Sequence, residues 1–166
     1  MVLAYLSGPI IQSHERRDDF YKTVIRTLGD EDVEVFAPQF LPPASAKEIY
    51  ERDVHYVRSC DLLIAEISSP SHGVGMEIML AIELSKPVLM FHHRSSGSIS
   101  RMVIGADGKA LFMYEDLDEV AEILRGHDLG NLVVAECPSC DSQVATTNDE
   151  LTKCIVCGST VTDSAR

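Results

Sequence analysis

With 166 residues, 45% of them hydrophobic, the chain can bury one compact core and carry a small appendage, which excludes a disordered protein. A formal net charge of -12 argues against an electropositive surface for nucleic acid and points to a small molecule as the partner. No apolar run reaches the ~20 residues of a membrane helix, and Met1–Pro9 lacks the basic region of a signal peptide; a cytoplasmic protein without a membrane partner is expected.

Residues 1–125 alternate strand and helix patterns. Val2–Leu6 is an apolar run ended by Ser7-Gly8-Pro9, and Glu15–Leu28 carries Phe20, Val24, Ile25 and Leu28 at helical spacing. The pattern continues with a strand over Val33–Phe36, a helix over Ala46–Cys60, a strand over Leu62–Ala65 and a helix over Val74–Leu84. Pro87–Phe91 and Ala110–Tyr114 read as strands, with short helices over Ser98–Ile104 and Leu117–Leu124. Five strands joined by helical crossovers predict an α/β fold, a Rossmann-like, doubly wound parallel sheet whose ligand lies beyond the strand ends. Residues 126–135 read as a connector, and 136–166 as a separate zinc ribbon and tail.

Two carboxylates sit in apolar surroundings. The helix Val74–Leu84 has Glu77 and Glu83 as its charged residues and is expected to be buried nearly all round, with Glu77 in its first turn. There the helix dipole favours an anion, so Glu77 is either a favourable first-turn glutamate or an ionised nucleophile. Asp53 lies four residues from both Ile49 and Val57, within the stripe formed with Tyr50 and Val54. A buried carboxylate there has either a structural partner or a chemical task. Together, a nucleophile and a group that assists the leaving group are what glycosyl transfer requires. The loop Ser68–Gly75, with Ser71, Gly73 and Gly75 at the helix start, can bring backbone N–H groups to a phosphate.

Tyr5-Leu-Ser-Gly-Pro9, Arg52-Asp53, Cys60-Asp-Leu-Leu-Ile-Ala-Glu66 and Pro70-Ser-His-Gly-Val-Gly-Met-Glu77 resemble the nucleoside 2-deoxyribosyltransferase superfamily, and within it the 2′-deoxynucleoside 5′-phosphate N-hydrolases. The resemblance implies Glu77 as nucleophile on C1′, Asp53 as the group assisting protonation of the base, and no organic cofactor. It also implies Ser71 and Ser100 on a 5′-phosphate, Met102 near the base, and Tyr5, Gly8, Ile10, Gly73 and Gly75 around the substrate. Ser100 is supplied across an interface in that family, so a homodimer is implied. One departure stands out: the hydrolases carry Gly-Ser-Ile-Arg where this chain has Gly8-Pro9-Ile10-Ile11, and His14, Arg16 or Arg17 is left to replace the arginine. The reading is therefore hydrolysis of a nucleoside 5′-monophosphate, with base exchange between nucleosides or non-catalytic nucleotide binding as alternatives.

The five cysteines include Cys137-Pro-Ser-Cys140 and Cys154-Ile-Val-Cys157, thirteen residues apart. This spacing predicts a structural zinc ion on Cys137, Cys140, Cys154 and Cys157, against a redox pair or a disulfide clip. Lys153 and Arg166, set against Asp141, Asp149, Glu150 and Asp163, leave no basic footprint for nucleic acid; protein contact or dimer stabilisation is the expected role of the ribbon.

Overall fold

The computed structural model describes residues 1–149 and 151–162, so Glu150, Asp163 and Arg166 lie outside the described residues. Five parallel strands, β1 (Val2–Ser7), β2 (Val33–Phe36), β3 (Leu62–Glu66), β4 (Val88–His93) and β5 (Lys109–Tyr114), form one sheet in the order β2-β1-β3-β4-β5. The expected Rossmann-like sheet is thus present, with its chain reversal between β1 and β3, where Ser7 pairs with Ala65.

Alternation along each strand sends side chains to two cores. Ala4, Leu6, Leu62, Ile64, Leu89 and Phe91 face one side, against α1 (Asp18–Gly29) and α5 (Leu117–Arg125). Tyr5, Leu63, Ala65 and Met90 face the other, against α2 (Ala46–Ser59) and α3 (His72–Glu83); a short α4 (Arg101–Ile104) precedes β5. Gly8 has a steric reason: a Cβ there would lie 2.4 Å from the Tyr21 ring, whose hydroxyl donates to the Pro9 carbonyl.

Three expectations need correction. The first helix begins at Asp18 rather than Glu15, because Gln12–Glu15 closes a separate turn on the Gln12 carbonyl. The third begins at His72, where Ser71 accepts from the Val74 amide, so Glu77 is in the second turn, beyond the free N–H groups. Nor is that helix buried all round: Met76 and Met79 are 60% and 48% exposed, and on α2 Ile49 and Tyr50 are exposed while Asp53 and Val57 are buried. Among the described residues no helix is long and apolar enough to cross a membrane.

The C-terminal segment is an antiparallel sheet of β6 (Leu132–Val134), β7 (Val144–Thr147) and β8 (Thr152–Cys154). The expected boundary after residue 135 therefore cuts through one sheet, since the end of the connector is its first strand. The unit is not separate either. Val144 and Ile155 join the α1/α5 core, and Gln143 accepts from the Gly108 amide at 2.6 Å and donates its own amide to the Lys109 carbonyl at 2.8 Å. These contacts place the ribbon at the start of β5, the opposite end of the sheet from Ser7.

The four cysteine sulfurs lie within 4.8 Å of one another, with Cys137–Cys157 and Cys140–Cys154 separations of 3.5 and 3.6 Å. A tetrahedron with 2.3 Å metal–sulfur bonds has edges of about 3.8 Å, so the four thiols fit one metal ion.

Because Ile155 packs into the shared core, Ile155→Ala is expected to destabilise the whole chain by about 2–4 kcal/mol. Unfolding followed by far-UV circular dichroism should stay a single transition, shifted throughout; a separate early transition belonging to the ribbon alone would contradict a continuous core.

Candidate active site

At the carboxyl end of β1, Tyr5 and Ser7 are two residues apart and share one face. Both are fully buried, and both reach the Glu77 carboxylate: the Tyr5 hydroxyl donates to Oε1 at 2.9 Å and the Ser7 hydroxyl to Oε2 at 2.5 Å. Burial pushes the Glu77 carboxyl up to about 7, with Asp53 adding to the rise, while Ser7, Tyr5 and the Arg52 charge oppose it. The expectation that the helix dipole keeps Glu77 ionised is thus corrected. Two hydroxyls hold the anion against desolvation, and near neutral pH the group sits at its own midpoint. Tyr5 itself is raised by burial and by Glu77, which keeps it a donor.

Asp53 is buried on the inner face of α2, 2.8 Å from Arg52 Nε, and Arg52 also lies over the Phe36 ring at 5.9 Å. Phe36 packs on Tyr5 at 5.5 Å and stacks on Tyr56 at 3.6 Å, building an aromatic wall behind the carboxylates. Spacing alone missed Ser7 and Arg52. The alternation of β1 was the available signal for Ser7, since it shares a face with Tyr5.

Four of the remaining expected site residues form a second group. Ser71, Gly75, Ser100 and Met102 line one groove of about 700 Å³ between α3 and α4, which neither Glu77 nor Asp53 lines. Ser71 accepts from the Val74 amide at 3.5 Å, which leaves its own proton to donate outward. Gly73 and Gly75 meet no atom within 4 Å of a Cβ position, so packing does not require either glycine. Met102 is 82% exposed, Ser100 is exposed, and Ile10 is at the surface beside Ile11. Of the basic candidates, Arg16 is spent on Asp18 and the Gln39 carbonyl, and Arg17 on Glu66 and Ser96.

The sequence model of the nucleoside 2-deoxyribosyltransferase family matches residues 4–137. The 5-hydroxymethyl-dUMP N-hydrolases of Danio rerio and Tetraodon nigroviridis are 40% identical over 81 residues and 39% identical over 79. These matches cover 47% and 46% of this chain and 57% and 56% of the relatives, so the chain spans about half the length of the curated relatives it matches. Among solved structures, the Clostridium botulinum CMP N-glycosidase is similar in fold, with a TM-score of 0.57 at 19% identity over 74% of this chain and 98% of that one. A family match over most of the chain, spanning β1 with Tyr5 and Ser7 and α3 with Glu77, places the protein in the nucleoside 2-deoxyribosyltransferase family.

Proposed function

We propose that the chain hydrolyses the N-glycosidic bond of a nucleoside 5′-monophosphate, releasing free base and sugar phosphate. The observation that carries this reading is Glu77, half-buried beside the carboxyl end of β1 with a hydroxyl on each oxygen and Asp53 nearby. Ionised Glu77 attacks C1′ as the bond to the base breaks, and Asp53 assists protonation of the departing base. Water then cleaves the glycosyl ester and returns the carboxylate. The names of the curated relatives, hydrolases of a deoxynucleotide, support this substrate class.

On this reading Ser71, with the open backbone at Gly73 and Gly75, meets the phosphate. Ser100 and Met102 line the groove beside Ser71 rather than Glu77, which fits their delivery to the site of a second copy, and the exposed Met76, Met79 and Met102 supply an apolar face for such a homodimer. The pairing of Arg16 and Arg17 elsewhere favours one further reading, base exchange between uncharged nucleosides. The four thiols hold a structural zinc ion far from the reacting carboxylates.

Incubation with a panel of nucleoside monophosphates and nucleosides, with and without a free base, should release base from monophosphates alone; exchange that requires an added base would overturn hydrolysis. Glu77→Gln is expected to lower turnover by about a thousandfold or more. Because the attacking form is the carboxylate, kcat/KM should fall as pH drops through about 7. Ser7→Ala removes a hydrogen bond to the anion, so this limb moves to higher pH; an unmoved limb would show that Ser7 does not tune Glu77.

The same burial has a sign for stability. A carboxyl held at about 7 when folded and about 4.5 when unfolded makes folding most favourable below 4.5, and that contribution is lost as pH rises through 7. Glu77→Gln should therefore be more stable than the parent by about 2–3 kcal/mol at pH 8 and nearly equal to it at pH 4, measured by denaturant unfolding. Metal analysis should find one zinc per chain, with chelation lowering the melting temperature; a metal-free chain of unchanged stability would rule zinc out.

A further inference from the structure

Glu66 ends β3 on the α1/α5 face and is wholly buried, yet it has no place in the chemistry above. Its backbone pairs with Phe91 one step beyond the Ser7–Ala65 pair, so Glu66 and the Ser7–Glu77 contact flank the carboxyl end of the sheet from opposite faces. The Ser68 hydroxyl donates to Oε1 in a short hydrogen bond and the Ser68 amide approaches Oε2 at 3.3 Å. The Tyr114 hydroxyl donates to Oε1 at 3.1 Å, and Arg17 Nε is 3.5 Å away. Arg17 in turn donates to Ser96 Oγ at 3.0 Å, and Ser68 Oγ accepts from the His93 amide at 2.8 Å.

Tyr114 and His93 end β5 and β4, and the other partners come from the three loops that follow β1, β3 and β4. Two of them run on to Ser71 and Ser100. Burial pushes the Glu66 carboxyl up, and Ser68 and Arg17 oppose that shift, so the charge and its ring of donors hold one another in place. We propose that Glu66 is a positioning residue: through Arg17 and Ser68 it anchors both the loop carrying Ser71 and the loop carrying Ser96 and Ser100, and thereby fixes where Ser71 meets the phosphate in its own site and where Ser100 is presented to the site of a second copy. Arg17 consequently serves as a strut rather than as the missing phosphate arginine. The assignment rests on the nucleotide reading for its effect on catalysis, but not for its effect on the loops.

Two variants test it. Glu66→Gln keeps an acceptor for Tyr114 and Ser68 but removes the charge facing Arg17, and Arg17→Ala removes a side chain that is one-third exposed, so its loss leaves the core intact. Both should raise KM for a nucleoside monophosphate at least about fivefold while kcat stays within about twofold. Both should also speed tryptic cleavage after Arg94 or Arg101 in the full-length protein, and Arg17→Lys should restore part of each effect. Unchanged KM and unchanged cleavage in a folded Arg17→Ala protein would overturn the proposal, as would a loss confined to kcat. If the parent turns over no nucleotide, the hydrolase reading fails by itself, and the cleavage rates still decide the role of Glu66.

Discussion

Taking a carboxylate out of water costs several kcal/mol unless hydrogen bonds replace the lost hydration, and this constraint organises the structure around Glu77. The replacement comes from the two inward-facing residues at the end of β1, and it works because β1 sits at the point where the sheet order reverses. Tyr5 must then be buried beside Phe36, and Arg52 must come close enough to oppose the combined field of Asp53 and Glu77. One face of the carboxyl end of the sheet is thereby committed to holding a carboxyl that burial pushes up to about 7.

The opposite face of the same end of the sheet repeats the device with a different outcome. Glu66 is wholly buried and meets two hydroxyls, but its partners are drawn from the loops after β1 and β3 and from the end of β5, and its counter-charge is Arg17. Glu77 is held by two residues of one strand, whereas Glu66 ties together three separate segments of the chain. The ribbon, at the far end of β5, contributes stability to the α1/α5 core through Val144 and Ile155 and lies away from both carboxylates.

Much of this was legible in the sequence because it depends on periodicity. The five strands, the four cysteines and the burial of Asp53 follow from patterns of two, three and four residues. What was not legible depends on capping and tertiary contact. Ser71 starts α3 earlier than the apolar run does, which moves Glu77 out of the first turn and changes the account of its charge from dipole stabilisation to burial. The exposed Met76 and Met79 have the same hydropathy as buried residues, so composition alone could not show which face of α3 is open. In the sequence Glu66 falls just after the strand Leu62–Ala65, and only the folded chain reveals Arg17, forty-nine residues earlier, beside it. Continuity between ribbon and sheet is likewise invisible, since Gln143 and Gly108 are ordinary residues until they meet.

The central claim is covalent: Glu77 carries the sugar between the two halves of the reaction. Rapid acid quenching of the protein during turnover of a nucleoside monophosphate, followed by proteolysis and mass spectrometry, tests it most directly. The account predicts a sugar-phosphate adduct on the peptide containing Glu77 and on no other. Turnover with no adduct at any quench time, or an adduct on a different carboxylate, would contradict it.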